Sequence, residues 1–199
     1  MRKAALALML ALTAAPALAD PLTDAIDGDG GLLCFARSYD AAWLKAHRGQ
    51  SLREVKLAIS HDEASNMPMM RLALRDGRRA LYGFGQCWWG DGDLNRGVQD
   101  NILDPTFKPT TGVGCHMVTD INGGSAEEGA EPLIDWRDGR TIQLHLGDSL
   151  AMWTSYDIRN TASWHELKST DRIVRLNRVK PSQCRELVAK FAPDGLSSR

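Results

Sequence analysis

The chain has 199 residues, 43% apolar and 25% charged, which are the proportions of a folded globular protein and exclude a disordered, collagen-like or coiled-coil chain. Lys and Arg number 24 against 25 Asp and Glu, so the formal net charge is −1. That balance excludes the strongly basic surface of a typical nucleic-acid binder, and no nucleic-acid partner is expected.

Residues 1–19 read as an export signal. Arg2 and Lys3 form a basic start, Ala4 to Leu12 is unbroken apolar sequence, and Ala17-Leu18-Ala19 offers the small residues a signal peptidase accepts. Thr13 and Pro16 interrupt the run well short of the ~20 apolar residues a membrane span needs. Cleavage after Ala19 would expose Asp20, not the cysteine of a lipoprotein, and leave one domain with no membrane span, periplasmic or secreted. All four cysteines (Cys34, Cys87, Cys115, Cys184) lie beyond the signal, and an even number in an exported chain predicts two disulfides. Three pairings are open; Cys87–Cys115 plus Cys34–Cys184 is favoured. The first pair lies near the ends of strand-like segments flanking one loop, and the second ties the domain start to its last helix. A zinc site is disfavoured because no Cys-x2-Cys pair occurs.

In chain order, residues 20–31 are acidic and glycine-rich and read as a flexible lead-in to a single β-rich domain over residues 32–193. A short helix is predicted from Ser38 to His47, capped by Ser38, with Tyr39, Ala42, Trp43 and Ala46 on one face. Two-residue alternation then marks strands over 54–60 and 69–75. Asp76-Gly77 suits the centre of a type I′ hairpin turn, and residues 79–88 form the returning strand. Gly83 and Gly85 within it predict a bulge, a bend or a close backbone approach. Residues 89–112 are irregular, and alternation resumes over 113–121. Residues 133–136 and 141–146 flank a second hairpin at Asp138-Gly139, and 150–156 and 172–179 are further strand candidates. The last element is a helix capped by Ser182, with Cys184, Leu187, Val188 and Phe191 on one face, before a frayed tail at 194–199. The class is mainly β: an antiparallel sandwich or partly closed barrel with a short N-terminal helix and a C-terminal helix.

Trp88-Trp89 is the leading contact candidate. In extended chain adjacent side chains point to opposite faces, so one tryptophan can be core while the other faces outward toward a protein, sugar or envelope partner. Asp91, Asp93 and Asn95, with Asp100 beyond, resemble the opening of a calcium loop. Arg96 and Ile102 stand where a calcium hand needs glycine and glutamate, so only a looser site is compatible; no cofactor is otherwise expected. Gly147-Asp148-Ser149-Leu150 spells the nucleophile block of the GDSL/SGNH esterases and lipases. No Asp-x-x-His block follows it, and a turn between strands explains it more simply. His61, Met67, Met69 and Met70 include soft copper(I) ligands, but Met70 belongs to the apolar alternation. Charge is uneven: residues 91–138 are net −7 and residues 166–190 net +4, enough to steer a partner.

The segment Cys34-Phe35-Ala36-Arg37-Ser38-Tyr39-Asp40-Ala41-Ala42-Trp43-Leu44, with His47 and Gln50, resembles a set of small exported bacterial proteins of unknown function. Gly85-Gln86-Cys87 and Asp120-Ile121-Asn122-Gly123-Gly124 echo later segments of that set. Arg48 stands at the position of its proline and Trp43 at that of a histidine. The resemblance implies an exported, cysteine-containing domain and brings no catalytic residues. The expectation is therefore an exported, non-enzymatic β-rich binding domain, with a hydrolase centred on Ser149 or a calcium-stabilised domain as alternatives.

Overall fold

A computed structural model of the chain describes residues 20–62, 65–91, 111–119, 130–136, 138–156 and 161–190. The expected signal segment at 1–19 and the expected tail at 194–199 lie outside these. Helix α1 (Pro21–Gly28) precedes β1 (Leu32–Ser38), α2 (Ala41–Ala46), β2 (Leu52–His61), β3 (Pro68–Asp76) and β4 (Arg79–Asp91). Then come β5 (Thr111–Met117), β6 (Leu133–Trp136), β7 (Thr141–His145), β8 (Ser149–Met152), β9 (Ser163–Glu166), β10 (Ile173–Arg178) and α3 (Arg185–Lys190).

Strands β1 to β7 run as an antiparallel meander, and β10 inserts between β7 and β1 to complete a closed eight-stranded barrel. Closure leaves the sheet no free edge, which settles the choice between sandwich and open barrel. Strands β8 and β9 form a separate two-stranded sheet, joined to the barrel where Trp153 and Tyr82 exchange backbone hydrogen bonds of 2.8 Å.

Alternation fills the interior. Leu33 and Phe35, Val55, Leu57 and Ile59, Met70 and Leu72, Val113, Cys115 and Met117, Ile142 and Leu144, and Val174 and Leu176 all point inward and are buried. Full burial of each large side chain contributes about 1.5–3 kcal/mol. Gly83 and Gly85 share this inward parity on β4. A Cβ at Gly83 would lie 2.3 Å from the Met117 Cε, and one at Gly85 only 2.2 Å from the His116 carbonyl oxygen. The two glycines let β5 and a methionine close against β4, so the expected close approach is what they provide.

Several local expectations are corrected. Residues 20–31 are not a flexible lead-in: Asp20 accepts from the Leu22 amide (2.9 Å), Pro21 opens α1, and Leu22 and Ile26 are wholly buried in the barrel core. Ser38 ends β1, and the cap of α2 is Asp40, which accepts from the Trp43 amide (2.7 Å). No residue of α2 is buried, so the predicted packed face is absent. In the first hairpin Asp76 pairs with Arg79, leaving Gly77-Arg78 as the loop, with Gly77 at φ +59°. Glycine leading the loop is the II′ pattern, not I′. In the second hairpin the last pair is Trp136 with Ile142, so the connection is longer than two residues. Asp138 holds that turn by accepting from the amides of Arg140 (2.9 Å) and Thr141 (2.8 Å). Those bonds keep its carboxyl below its ordinary range. A 3-10 turn at Pro181–Gln183 contains Ser182, and α3 starts at Arg185.

Both expected disulfides are present. Cys87 and Cys115 are directly opposed on β4 and β5 and face the barrel core. Cys34 faces outward from β1 and bonds Cys184, clamping α3 through Leu187 against Ala58.

Candidate surface site on the outer barrel face

The tryptophan pair separates as alternation requires. Trp89 turns inward and meets Trp136 edge-on at 6.4 Å, while Trp136 meets Phe35 edge-on at 5.6 Å. Trp88 turns outward and is 37% exposed. Its cross-strand partner is Gly114, which offers no side chain to cover the indole. The ring instead tilts over the imidazole of His116, the next outward residue of β5, with centroids 4.5 Å apart. His116 Nδ1 lies 3.0 Å from a Glu131 carboxylate oxygen. Gln86, directly opposite His116, turns its amide to the sulfur of the exposed Met67 (3.5 Å). The result is an aromatic face bordered by an imidazole, a carboxylate and an amide. Sequence reasoning found the tryptophans but not His116, Gln86 or Glu131. The outward parity of β5 is the signal that would have found His116, because a register is needed to lay it beside Trp88.

The other candidates are dispersed or lie elsewhere. Asp91 closes β4 by its backbone, and its side chain, with Asp93, Asn95 and Asp100, lies outside the described residues. Among the described residues no group of three or more acidic, histidine or cysteine side chains is placed to hold a metal ion. Ser149 opens β8 opposite Glu166. His165, one residue earlier on β9, pairs with Leu150 and so shares the opposite face from Ser149. Its Nε2 reaches Asp76 at 3.5 Å. The serine of the GDSL-like block is thus not given that histidine as a base. Asp148 forms an ion pair with Arg172 at 2.7 Å, consistent with the turn reading. Met70 is buried inside the barrel and Met67 exposed outside it, so the methionines do not form one ligand set. His61 contacts Asp27 of α1 at 3.5 Å.

Comparison with protein families, with characterised proteins and with solved structures returned no match. The two disulfides suggest an oxidising, extracytoplasmic environment. Among the described residues no helix is long and apolar enough to cross a membrane.

Proposed function

We propose that this chain is an exported binding domain, working in the periplasm or outside the cell, that holds a glycan of the cell envelope against Trp88. The observation that carries this reading is the composition of the patch. A half-open indole supplies an apolar face for a sugar ring, while His116, Glu131 and Gln86 supply donors and acceptors for its hydroxyls. The barrel supports it as a rigid scaffold: its interior is filled by side chains, and a disulfide joins the two strands that carry the patch. A protein partner at the same patch is the competing outcome.

The test is titration of the disulfide-intact protein with solubilised envelope oligosaccharides, for native protein and for Trp88→Ala and His116→Ala. Binding that falls about tenfold or more in Trp88→Ala supports the proposal. Binding to no oligosaccharide, or equal binding by Trp88→Ala, removes it. The Ser149 alternative has its own test: a fluorophosphonate probe that labels Ser149 in folded protein would favour a hydrolase over a binding domain.

A further inference from the structure

A second site lies on a different face, between the 39–50 loop and the outer side of β7 and β10. The chain leaves β1 at Ser38, forms α2, and returns past Gly49 to enter β2. The segment stands clear of the core, since α2 buries no side chain. It is held instead by local contacts. Trp43 stacks on His47 with centroids 3.9 Å apart and planes 12° off parallel, and its Nε1 donates to Gln50 Oε1 (3.0 Å). A Cβ at Gly49 would lie 3.0 Å from the Thr170 methyl, so the returning chain passes close over the residues that lead into β10. Between loop and sheet is an open groove of about 430 Å³. That volume lies within the range of small-molecule sites, roughly 300–1,000 Å³.

The lining is unusual in its charge. Three guanidinium groups, Arg37, Arg48 and Arg175, border the groove, and no carboxylate lines it. Among the described residues none of the three forms an ion pair. Of the acids around the groove, Asp40 caps α2, Asp138 interacts with Arg175 from a turn in which it accepts from backbone amides, and Asp135 lies on the outer face of β6 opposite Gln143. Arg37 is fixed in place. Its guanidinium carbon lies 4.7 Å from the Tyr39 ring centroid and 4.9 Å from that of Trp43, and Nη1 donates to the Arg175 carbonyl (3.3 Å). Guanidinium against aromatic faces is favourable, and it pre-orients the planar fork that matches a carboxylate or phosphate. Trp43 is 38% exposed beside it. An anion in the groove would be attracted by all three guanidinium groups, with no carboxylate in the lining to compete for them.

We propose that this groove binds a small sugar anion, with its carboxylate or phosphate on Arg37 and Arg175, Arg48 at the rim, and its ring against the exposed edge of Trp43. Sugar acids and sugar phosphates share the oxyanion chemistry that the guanidinium forks recognise. The site is separate from the Trp88 patch and does not depend on it.

The experiment is calorimetric titration of the disulfide-intact protein with glucuronate, glucose 6-phosphate, inorganic phosphate and glucose. One or both sugar anions are expected to saturate a single site, the tighter one identifying the oxyanion. Inorganic phosphate is expected to bind more weakly and glucose not to bind. Arg37→Gln and Arg175→Gln should each weaken binding by about tenfold or more, and Arg37→Lys by less, because it keeps charge and loses the fork. Trp88→Ala should leave this binding unchanged, which separates the site from the envelope-glycan reading. No binding of either sugar anion at ~10 mM, glucose binding as tightly as the anions, or affinities unaltered by both glutamine variants would overturn the proposal. Circular dichroism and disulfide mapping of each variant confirm that a loss of binding is not a loss of fold.

Discussion

Asp171 and Ser51, 120 positions apart in the chain, are joined by a double hydrogen bond: the Ser51 amide and hydroxyl both donate to the Asp171 carboxylate, at 3.0 and 2.7 Å. The Leu52 amide adds a third donor at 3.3 Å. Asp171 is wholly buried, just before β10, and its partners open β2. The carboxylate therefore staples the return of the 39–50 loop onto the barrel, next to the groove that loop shapes. Asp171→Ala should cost about 3 kcal/mol, because it strands two backbone donors and a hydroxyl near or within the core. Ser51→Ala, which removes only the hydroxyl, should cost about 1 kcal/mol. Urea unfolding midpoints of the two variants check the ratio, and equal effects would mean that the backbone donors find other partners.

The inward glycines of β4 make a sharper comparison. At Gly85 an added methyl meets the His116 carbonyl, a backbone atom that moves only with β5 itself. At Gly83 the added methyl meets the end of the Met117 side chain, which has rotamers to spare. Gly85→Ala should destabilise by about 3 kcal/mol and Gly83→Ala by less, near 1 kcal/mol. Gly85→Ala should also weaken the glycan binding proposed at Trp88, since pushing β5 away separates His116 from the indole. Thermal melts together with Trp88 fluorescence distinguish this outcome from a general loss of stability.

The two disulfides should differ in what they hold. Cys34–Cys184 closes a separation of 150 residues and fastens α3 to the barrel from outside. Replacing both cysteines by serine should lower stability by about 3–5 kcal/mol, with early loss of hydrogen-exchange protection in α3. Cys87–Cys115 spans 28 residues and sits within the core, so its loss should lower protection in β4 and β5 instead. Exchange that changes uniformly in both variants would show that the crosslinks act only on the unfolded chain.

Much of the barrel was legible because its strands carry a strict two-residue period. In β2, Val55, Leu57 and Ile59 announce an inward face, as do Val113, Cys115 and Met117 in β5. The cysteine pairs were legible from strand ends and helix face. Closure was not, because β10 pairs with β1 only through Phe35 and Ala36, and nothing local in either strand announces that contact. Helix α1 was hidden by composition: two apolar side chains, Leu22 and Ile26, are enough to close onto a barrel, but they are diluted by Asp and Gly. Strand β9 was missed because Ser163-Trp164-His165-Glu166 shows no apolar alternation, and Trp164 is 56% exposed. The cationic groove was equally invisible, since Arg37, Arg48 and Arg175 meet only after the barrel closes.

A calcium site built on Asp91, Asp93 and Asn95 makes a definite demand. A cation that binds only the folded chain must raise its melting temperature, by an amount set by the ratio of free ion to dissociation constant. Excess EDTA should then lower the melting temperature of protein purified with calcium, and millimolar calcium should restore it where magnesium does not. Asp93→Asn should halve the effect or abolish it. Melting curves that superimpose with EDTA and with calcium remove the site.

The alkaline limb of stability should belong to Tyr156. Its ring lies 4.1 Å from that of Tyr82, beside α3. Burial pushes its hydroxyl well above the ordinary tyrosine value of 10.0, helped by a hydrogen bond with Tyr82 and by the nearby charge of Glu186. A raised pKa in the folded state means that the folded chain keeps a proton which the unfolded chain gives up near pH 10. The contribution to stability is therefore complete below pH ~10 and is lost progressively as pH rises from there toward the folded value. Tyr156→Phe cannot ionise, so it should flatten this limb while leaving neutral-pH stability changed by only about 1 kcal/mol. Denaturant midpoints at pH 8, 10 and 11, the test pH values taken around the unfolded constant, check the prediction. A native midpoint that does not fall across that series, or a Tyr156→Phe midpoint that falls in parallel with it, would assign the alkaline limb to other groups.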